Sequence, residues 1–158
     1  MSRLPSLGPR GEGWVVIQFL LLGLVAMAGV AGPAWGGTIG TATTVLGAAL
    51  LGAGGVLALR GLLDLRSALT PLPHPRDGAE LVDTGAYRLA RHPIYGGIVI
   101  GALGYGLVMA SPPAIAGALV LLGFFRLKSA REEAWLEARY EDYAAYRART
   151  RRMIPWVY

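Results

Sequence analysis

The chain has 158 residues, a formal net charge of +5 and no cysteine. The lack of cysteine excludes disulfides, thiolate metal sites and cysteine nucleophiles, and two histidines, His74 and His92, are too few for a metal site built on several imidazoles. The excess of basic charge does not indicate nucleic-acid binding, because the charge follows an alternation of charged and uncharged segments that is typical of membrane proteins.

Two long segments of the chain carry no charge. No Asp, Glu, Lys or Arg occurs from Gly13 to Leu59 or from Pro93 to Phe125. A spanning helix needs roughly 20 apolar residues at a rise of about 1.5 Å each, so the first segment has room for two spans and the second for two short ones. The sequence therefore predicts an all-α fold, a polytopic membrane helical bundle with about four transmembrane helices.

Turn-forming residues divide both uncharged segments. Glycines and a proline between Gly32 and Gly37 interrupt the first, and Ser111-Pro112-Pro113 interrupts the second. We expect the whole chain, 1–158, to form a single membrane-embedded domain. Its predicted parts are spans at about 14–31, 38–59, 93–109 and 112–127, a loop at 70–92, and a cytoplasmic C-terminal helix and tail at 128–158.

The basic residues predict the orientation of the bundle. They lie before the first span, between the second and third spans, and after the fourth, whereas the other two loops have none. Loops rich in Lys and Arg stay in the cytoplasm, so both termini of this multi-pass protein are expected there. The first apolar segment is followed at once by another, which favours an anchor over a cleavable signal peptide.

Small residues recur at four-residue spacing within the predicted spans, as in Ala48/Gly52 and Gly97/Gly101. Such spacing lets helix backbones approach closely, and packing alone is a sufficient explanation for the second span. Gly96 and Gly97 lie beside a charged cluster, and for these two we expect instead that they leave room for a ligand.

The loop before the third span begins with Thr70-Pro71-Leu72-Pro73-His74-Pro75, whose prolines enforce extended backbone. Glu80, Leu81 and Val82 follow, and then a turn at Gly85 and an aromatic residue, Tyr87. Such a loop either forms one wall of a pocket or is a plain connector between spans.

Arg91-His92-Pro93-Ile94-Tyr95 joins a charged segment to the third span. Proline suits the first turn of a helix, so Arg91 and His92 should lie just before a helix start at the membrane boundary. The free backbone N–H groups there, together with the guanidinium of Arg91, could hold a carboxylate or phosphate. Alternatively, Arg91 snorkels to the lipid headgroups and Tyr95 belongs to the aromatic belt of the membrane.

Helical spacing after the fourth span places Glu132 on the same stripe as Lys128, Leu136, Tyr140 and Tyr143. A carboxylate on this inward stripe needs a cation or hydrogen-bond donors. Arg91 is one candidate partner, and a ligand's ammonium or ribose hydroxyl is another.

The remaining charges of this region are expected at the surface. The neighbouring face of the same helix, with Glu133, Glu137 and Glu141, is predicted to be solvated. The arginines of the tail are expected to contact anionic headgroups; they are Arg147, Arg149, Arg151 and Arg152.

The motifs from Pro75 to Pro155 resemble those of the isoprenylcysteine carboxyl methyltransferase and phospholipid methyltransferase superfamily of integral membrane enzymes. The resemblance depends on the order and spacing of several short patterns. They are Leu81-Val82-x-x-Gly85-x-Tyr87, Arg91-His92-Pro93-x-Tyr95-x-Gly97, a helical hairpin, Glu132-Glu133-x-x-Leu136, Tyr143-x-x-Tyr146 and Arg152-x-x-Pro155.

This resemblance implies an S-adenosylmethionine-dependent methyltransferase with its cofactor pocket at the cytoplasmic membrane face. It implies that Glu132 contacts the cofactor's ammonium or ribose, that Tyr87 and Tyr95 pack against it, and that His92 binds its carboxylate through a ring N–H. No G-x-G-x-x-G fingerprint of the soluble nucleotide-binding fold is present. The residues implied to line the pocket are Glu80, Leu81, Val82, Tyr87, His92, Pro93, Ile94, Tyr95 and Glu132.

Three positions depart from the pattern of the superfamily, and one of them is the Ala79-Glu80 pair, which stands where some relatives have a histidine before Leu81-Val82. Lys128 stands where the prenylcysteine enzymes have an arginine associated with substrate, and a lysine lacks the planar fork of a guanidinium. Arg91 and Lys128 are therefore candidates for substrate positioning, while no catalytic residue is assigned. The glycine usually found after the aromatic at Tyr140 is missing, so the helix that begins at Lys128 is expected to continue unbroken to Arg147.

The methyl acceptor stays open at this stage. A prenylcysteine-like carboxylate, a lipid, or a small lipophilic thiol or amine could reach the pocket from the bilayer, and no protein partner is indicated. A membrane sterol or enone reductase that uses NADPH is an alternative, because such enzymes carry a similar Arg-His-Pro-x-Tyr segment. In a third interpretation the protein is non-catalytic, and Arg91, Glu132 and the tyrosines only tie the tail to the bundle.

Overall fold

The computed structural model describes residues 5, 7–31, 35, 37–65, 69–74, 78 and 80–157. No β-strand occurs in these ranges, so the all-α class is confirmed. The helices in chain order are α1 (Glu12–Val30), α2 (Gly37–Leu65), a 3-10 turn (Gly85–Arg88), α3 (Pro93–Val108), α4 (Pro112–Arg139) and α5 (Tyr143–Arg149).

Among the described residues, α1, α2 and α4 are long and apolar enough to cross a membrane, and α3 is a shorter apolar helix of 16 residues. Large apolar side chains on the outer faces of the three long helices are exposed, as expected where lipid replaces water. Most of the predicted break at Gly32–Gly37 lies outside the described residues, as do Arg3, Arg66 and residues 75–77, which include Arg76.

The fourth span and the helix after it form one continuous helix. α4 continues through Lys128 without a break, because no glycine or proline lies between Phe125 and Arg139. At about 42 Å it is longer than the roughly 30 Å apolar core of a bilayer, so its charged second half extends beyond that core. The predicted unbroken helix to Arg147 is wrong. Tyr140 has extended backbone and α5 starts only at Tyr143, so the chain turns back toward the bundle.

Glycines let α2 and α3 pack in close antiparallel contact. A Cβ atom built on Gly54 would lie 2.5 Å from the carbonyl oxygen of Gly97, and one on Gly47 would lie 2.7 Å from that of Gly104. The contacting glycines of α2 are thus spaced by seven residues, whereas Ala48 and Gly52 of the predicted pair are exposed. This contact fixes the start of α3 beside the end of α2.

Side-chain hydrogen bonds hold the turn between α3 and α4 against the end of α1. Ser111 caps α4 by accepting from the N–H of Ala114 at 3.2 Å, and its hydroxyl donates to the carbonyl of Ala28 at 2.7 Å. The hydroxyl of Tyr105 donates to the carbonyl of Ala26 at 2.8 Å. As a result, the start of α1, the end of α2, the start of α3 and the end of α4 share the opposite, charged end of the bundle.

The C-terminal tail folds back across the start of α3. The N–H groups of Arg91 and His92 donate to the carbonyls of Arg151 and Arg152 at 2.9 and 2.8 Å, around an isolated parallel bridge. A Cβ atom on Gly96 would collide with the carbonyl of the tail's buried Met153. The expectation that Gly96 and Gly97 leave room for a ligand is therefore wrong: Gly96 makes room for the tail, and Gly97 for α2.

Candidate functional site

A cavity of about 430 Å³ lies at the charged end of the bundle. Its walls come from α1, the end of α2, the loop before α3, the start of α3, the second half of α4, and α5. It brings together residues that are far apart in sequence, as ligand sites between helices commonly do.

The structure places eight of the nine predicted pocket residues in the wall of this cavity. Pro93 is the exception: it is fully buried in the first turn of α3, where it starts the helix. The two candidates for substrate positioning, Arg91 and Lys128, also line the cavity. The predicted residues that do so are Glu80, Leu81, Val82, Tyr87, His92, Ile94, Tyr95 and Glu132.

Glu132 faces the cavity and is held by two aromatic neighbours. The hydroxyl of Tyr95 donates to Glu132 Oε2 at 3.0 Å, and His92 Nδ1 lies 3.6 Å from the same oxygen. The rings of His92 and Tyr95 stack at 5.4 Å, and Tyr95 stacks on the buried Phe125 at 4.6 Å. Glu132 and Tyr95 are thus in direct contact, and the stack fixes the direction of the carboxylate.

Glu133, predicted to be solvated, is buried among basic side chains. Its carboxylate lies 2.8 Å from Arg91 Nε, 3.2 Å from His92 Nε2 and 3.4 Å from Arg152. The prediction failed because the tail, which the helical pattern of α4 does not reveal, covers this face. The suggested partner of Glu132, Arg91, therefore pairs with the neighbouring glutamate instead.

The guanidinium of Arg91 binds other groups of this chain. Its NH1 group donates to the carbonyls of Thr150 at 2.7 Å and of Arg147 at 3.2 Å, in addition to the ion pair with Glu133. Arg91 thus binds the tail, while its role in holding an anion at the start of α3 stays a prediction.

Three of the tail arginines, Arg147, Arg149 and Arg152, pair with acidic residues of this chain, and contact of the tail with lipid headgroups stays a prediction. Their partners are Glu137, Asp83 and Glu133, respectively.

Both ring nitrogens of His92 lie against carboxylates. Nε2 faces Glu133 and Nδ1 faces Glu132, and the residue is only 5% exposed. These two neighbouring carboxylates would repel a cofactor carboxylate placed at this ring. His92 instead orients Glu132.

Sequence reasoning missed the contribution of the tyrosines to this cavity. Tyr140, Tyr143 and Tyr146 line it, and the hydroxyl of Tyr146 donates to the carbonyl of Tyr87 at 2.7 Å. Burial raises the pKa of Tyr87, Tyr143 and Tyr146, so all three phenols stay protonated near neutral pH. The Tyr-x-x-Tyr spacing was the available signal.

Tyr143 differs from its neighbours in having no internal partner. The residue is 1% exposed, and within the described part of the chain its buried hydroxyl makes no hydrogen bond. An unpaired buried hydroxyl costs free energy unless a ligand or water supplies the partner. Tyr143 is therefore a candidate ligand-binding group.

The first helix also contributes to the cavity, through Gln18. Its amide oxygen accepts from Lys128 Nζ at 2.5 Å, and this ammonium also donates to the carbonyl of Pro71 at 3.1 Å. The signal was visible in the sequence: after Glu12, Gln18 is the one polar side chain of α1. Polar residues within spans are commonly functional.

The far end of the cavity is apolar and reaches the outside of the bundle. It is lined by side chains of α1, α2 and the loop that follows α2. Several of these are also exposed on the outer surface, Phe19 by 63% and Leu69 by 42%. The cavity therefore joins a polar end with a lipid-facing apolar end, whose lining residues are Phe19, Leu22, Leu62, Leu65 and Leu69.

The phospholipid methyltransferase family matches residues 42–143, which is more than half of the chain. This chain belongs to that family. The match includes most of the cavity wall, but α1 and the tail lie outside it. The resemblance inferred from the motifs is thereby confirmed, and the protein is a membrane protein.

Curated plant relatives match just under half of the chain. A probable protein-S-isoprenylcysteine O-methyltransferase of Oryza sativa subsp. indica is 38% identical over 76 residues, which cover 45% of this chain and 40% of the rice protein. Protein-S-isoprenylcysteine O-methyltransferase B of Arabidopsis thaliana is 34% identical over 80 residues, 49% of this chain and 41% of the plant protein. The chain spans about two fifths of the length of these relatives.

Proposed function

We propose that this protein transfers the methyl group of S-adenosylmethionine to a lipophilic acceptor at the cytoplasmic face of the membrane. The observation that carries the proposal is the continuous cavity, with Glu132 and the tyrosines at one end and lipid-facing side chains at the other. Membership of the family supports methyl transfer, and the names of the plant relatives make an isoprenylcysteine carboxylate one candidate acceptor.

The polar end of the cavity fits the methyl donor. Glu132 would accept hydrogen bonds from the donor's ammonium or ribose, and Leu81, Val82 and Tyr87 would pack against its adenine. The unpaired hydroxyl of Tyr143 is an orphaned polar atom that such a polar ligand would satisfy. The volume of about 430 Å³ lies within the range of small-molecule sites.

The donor supplies a methyl group that its positive sulfur has already activated, so the chain's task is positioning. The stacked rings of His92, Tyr95 and Phe125 fix the carboxylate of Glu132, and with it the donor. The apolar end would hold the acceptor's hydrocarbon and keep water from the reacting atoms. Correct orientation of two bound reactants is sufficient for large rate accelerations.

We also propose that the charged end of the bundle faces the cytoplasm, with both termini on that side and the chain acting as one membrane-embedded unit. The basic segments of the sequence support this orientation through the positive-inside rule. Because the cavity lies at the same end, the donor would enter from the cytoplasm and the acceptor from the bilayer.

Two assays test the proposal. In the first, detergent-purified protein should be stabilised against heat by S-adenosylhomocysteine and not by NADPH. Stabilisation by NADPH alone would favour the reductase interpretation, and no effect of either compound would favour a non-catalytic protein. In the second, labelled S-adenosylmethionine and a total lipid and metabolite extract should yield a labelled lipophilic product in wild-type membranes and much less of it with Glu132→Gln.

A further inference from the structure

The last described turn of the chain exposes two large apolar side chains. Trp156 is 79% exposed and Val157 is 75% exposed. The indole N–H of Trp156 has no hydrogen-bond partner in the described residues, whereas those of Trp14 and Trp35 each donate to an oxygen of this chain. Contacts within the chain therefore do not explain why a tryptophan stands at this position.

The backbone at Trp156 is strained. The N–H of Val157 donates to the carbonyl of Ile154 at 3.2 Å, so Pro155 and Trp156 are the two central residues of a turn. Trp156 has a φ of 62°, in the left-handed region that glycine prefers at this position of a turn. Such strain persists where the surroundings compensate for it, and the exposed ring has its surroundings outside the chain.

The turn lies where the charged end of the bundle meets its apolar part. Arg152 still forms an ion pair at the charged end. The next residue, Met153, is fully buried in an apolar cluster that includes Val99 of α3 and Phe125 of α4. Ile154 packs against the same cluster. The tail thus passes from charged to apolar surroundings directly before the turn.

A lipid surface is the partner that fits this turn. Tryptophan has an apolar ring and one polar N–H, and it is enriched where a membrane meets water. The outer faces of α1, α2 and α4 expose large apolar side chains, and the turn lies at the level where that apolar surface begins. Nearby, Arg151 is exposed and forms no ion pair in the described residues, so its charge suits anionic headgroups.

We propose that Trp156 and Val157 insert into the headgroup region of the bilayer and thereby hold the C-terminal tail against α3. The same tail binds the guanidinium of Arg91 through Thr150, and it follows directly on α5, whose tyrosines line the cavity. Contact with lipid therefore stabilises the closed position of the tail, and it compensates for the strained backbone at Trp156.

Spin labelling measures the depth of the turn. The chain has no cysteine, so one introduced cysteine can be labelled in the full chain, in nanodiscs of phosphatidylcholine and phosphatidylglycerol. Accessibility to oxygen, which concentrates in the bilayer, is compared with accessibility to a water-soluble nickel chelate. A label at Val157→Cys should lie deeper than one at the exposed Glu141→Cys and shallower than one at the lipid-facing Leu119→Cys.

Two results of this measurement would overturn the proposal. A label at position 157 that the nickel chelate reaches as readily as the label at position 141 would place the turn in water. Strong dipolar broadening between labels at position 157 would show that a second copy of the chain covers the turn.

Hydrogen exchange tests whether the lipid contact holds the tail. The N–H groups of Arg91 and His92 donate to carbonyls of the tail, so their exchange reports its opening. In nanodiscs, Trp156→Ala should speed this exchange about 10-fold, because roughly 60 Å² of aromatic surface no longer leaves water. Trp156→Phe should keep most of the protection. Leu119→Ala removes a lipid-facing side chain far from the tail and is the control, which should exchange like wild type.

The ring of Trp156 is exposed, so its replacement removes little packing within the chain and the variants should fold. Wild-type exchange in Trp156→Ala would overturn the anchoring role. The proposal is separate from the proposed function: a chain with an interfacial label that binds no S-adenosylhomocysteine loses the function alone, and a chain that binds this compound with its turn in water loses the anchor alone.

Discussion

Two adjacent glutamates on α4 lie in opposite environments. Glu133 is buried against Arg91, His92 and Arg152, and its charge is neutralised within the chain. Glu132 faces the cavity, and its contacts are the hydroxyl of Tyr95 and the ring of His92.

Successive residues of a helix point about 100° apart, so one turn of α4 presents a carboxylate to each side. The side of Glu133 binds the returning tail, and the side of Glu132 is left for a ligand. The ion pairs of Glu133 are therefore structural, and they hold in place the cavity wall that contains Glu132. His92 contacts both carboxylates and couples the two sides.

The largest expected effect is on stability and comes from Glu133→Gln. This variant leaves Arg91 buried without its counterion, so we expect the free energy of unfolding to fall by about 3–5 kcal/mol, as for other broken buried pairs. Unfolding of the detergent-solubilised protein by denaturant measures the change.

Glu137→Gln is the matched control, since it removes an exposed ion pair with Arg147 on the same helix and should cost about 0–1 kcal/mol. If both variants are equally stable, the difference between the two glutamates disappears.

The next largest effect is on ligand binding and comes from Glu132→Gln. Loss of a charged acceptor in the cavity should weaken S-adenosylhomocysteine binding about 10–100-fold, while the free energy of unfolding changes little. Isothermal titration calorimetry in nanodiscs measures the affinity, with the exposed Glu141→Gln as control. Affinity equal to wild type, or a loss of stability as large as that of Glu133→Gln, would contradict the assignment.

A smaller effect separates the two buried tyrosines of α5. Tyr143→Phe removes a hydroxyl that has no internal partner, so the free energy of unfolding should stay the same or rise slightly. The affinity for S-adenosylhomocysteine should fall about 3–10-fold, because a single hydrogen bond is lost.

Tyr146→Phe should show the reverse pattern. It breaks the bond to the carbonyl of Tyr87, which should lower stability by about 0.5–1.5 kcal/mol and leave affinity nearly unchanged. Identical behaviour of the two variants would remove Tyr143 from the ligand site.

The smallest effect is a loss of stability at alkaline pH. Burial raises the pKa of Tyr146 above its ordinary value of about 10, so the unfolded chain releases this proton before the folded chain does. The stabilisation is complete below pH 10 and is lost above it, by about 0.8 kcal/mol for one such tyrosine at pH 10.5. Unfolding at pH 8 and 10.5 should show a smaller alkaline loss for Tyr146→Phe than for wild type, and an equal loss would contradict the burial of this phenol.

Local sequence pattern predicted the helices well but could not reveal the path of the tail. Uncharged length and prolines placed the starts of α3 and α4 correctly at Pro93 and Pro112. The same local signals divided α4 into a span that ends at Leu127 and a separate helix that begins at Lys128. The charged residues there mark the end of the apolar segment, but they do not interrupt the helix. The turn at Tyr140 lets α5 contact Tyr87, which is far from α5 in the sequence. A local pattern cannot reveal such a contact.

The sequence predicted most of the residues of the candidate site, but it did not predict which of them pair with each other. The motif around His92 and Tyr95 identified the cavity wall, since a family resemblance preserves positions. It could not show which carboxylate Arg91 binds, because that choice depends on the tail crossing above Glu133. Gln18 was missed because α1 lies outside the resembling half, although its amide within an apolar helix was a visible signal.

Ultraviolet crosslinking of radiolabelled S-adenosylmethionine to the full chain in nanodiscs, followed by peptide mapping, tests directly whether the cavity binds the methyl donor. We expect label in the cavity wall, on peptides that contain Tyr87 to Tyr95 or Tyr140 to Tyr146. Unlabelled S-adenosylhomocysteine should abolish this labelling, and Glu132→Gln should weaken it. Label confined to the outer faces of the helices, or labelling that S-adenosylhomocysteine does not displace, would contradict the claim that this cavity binds the methyl donor.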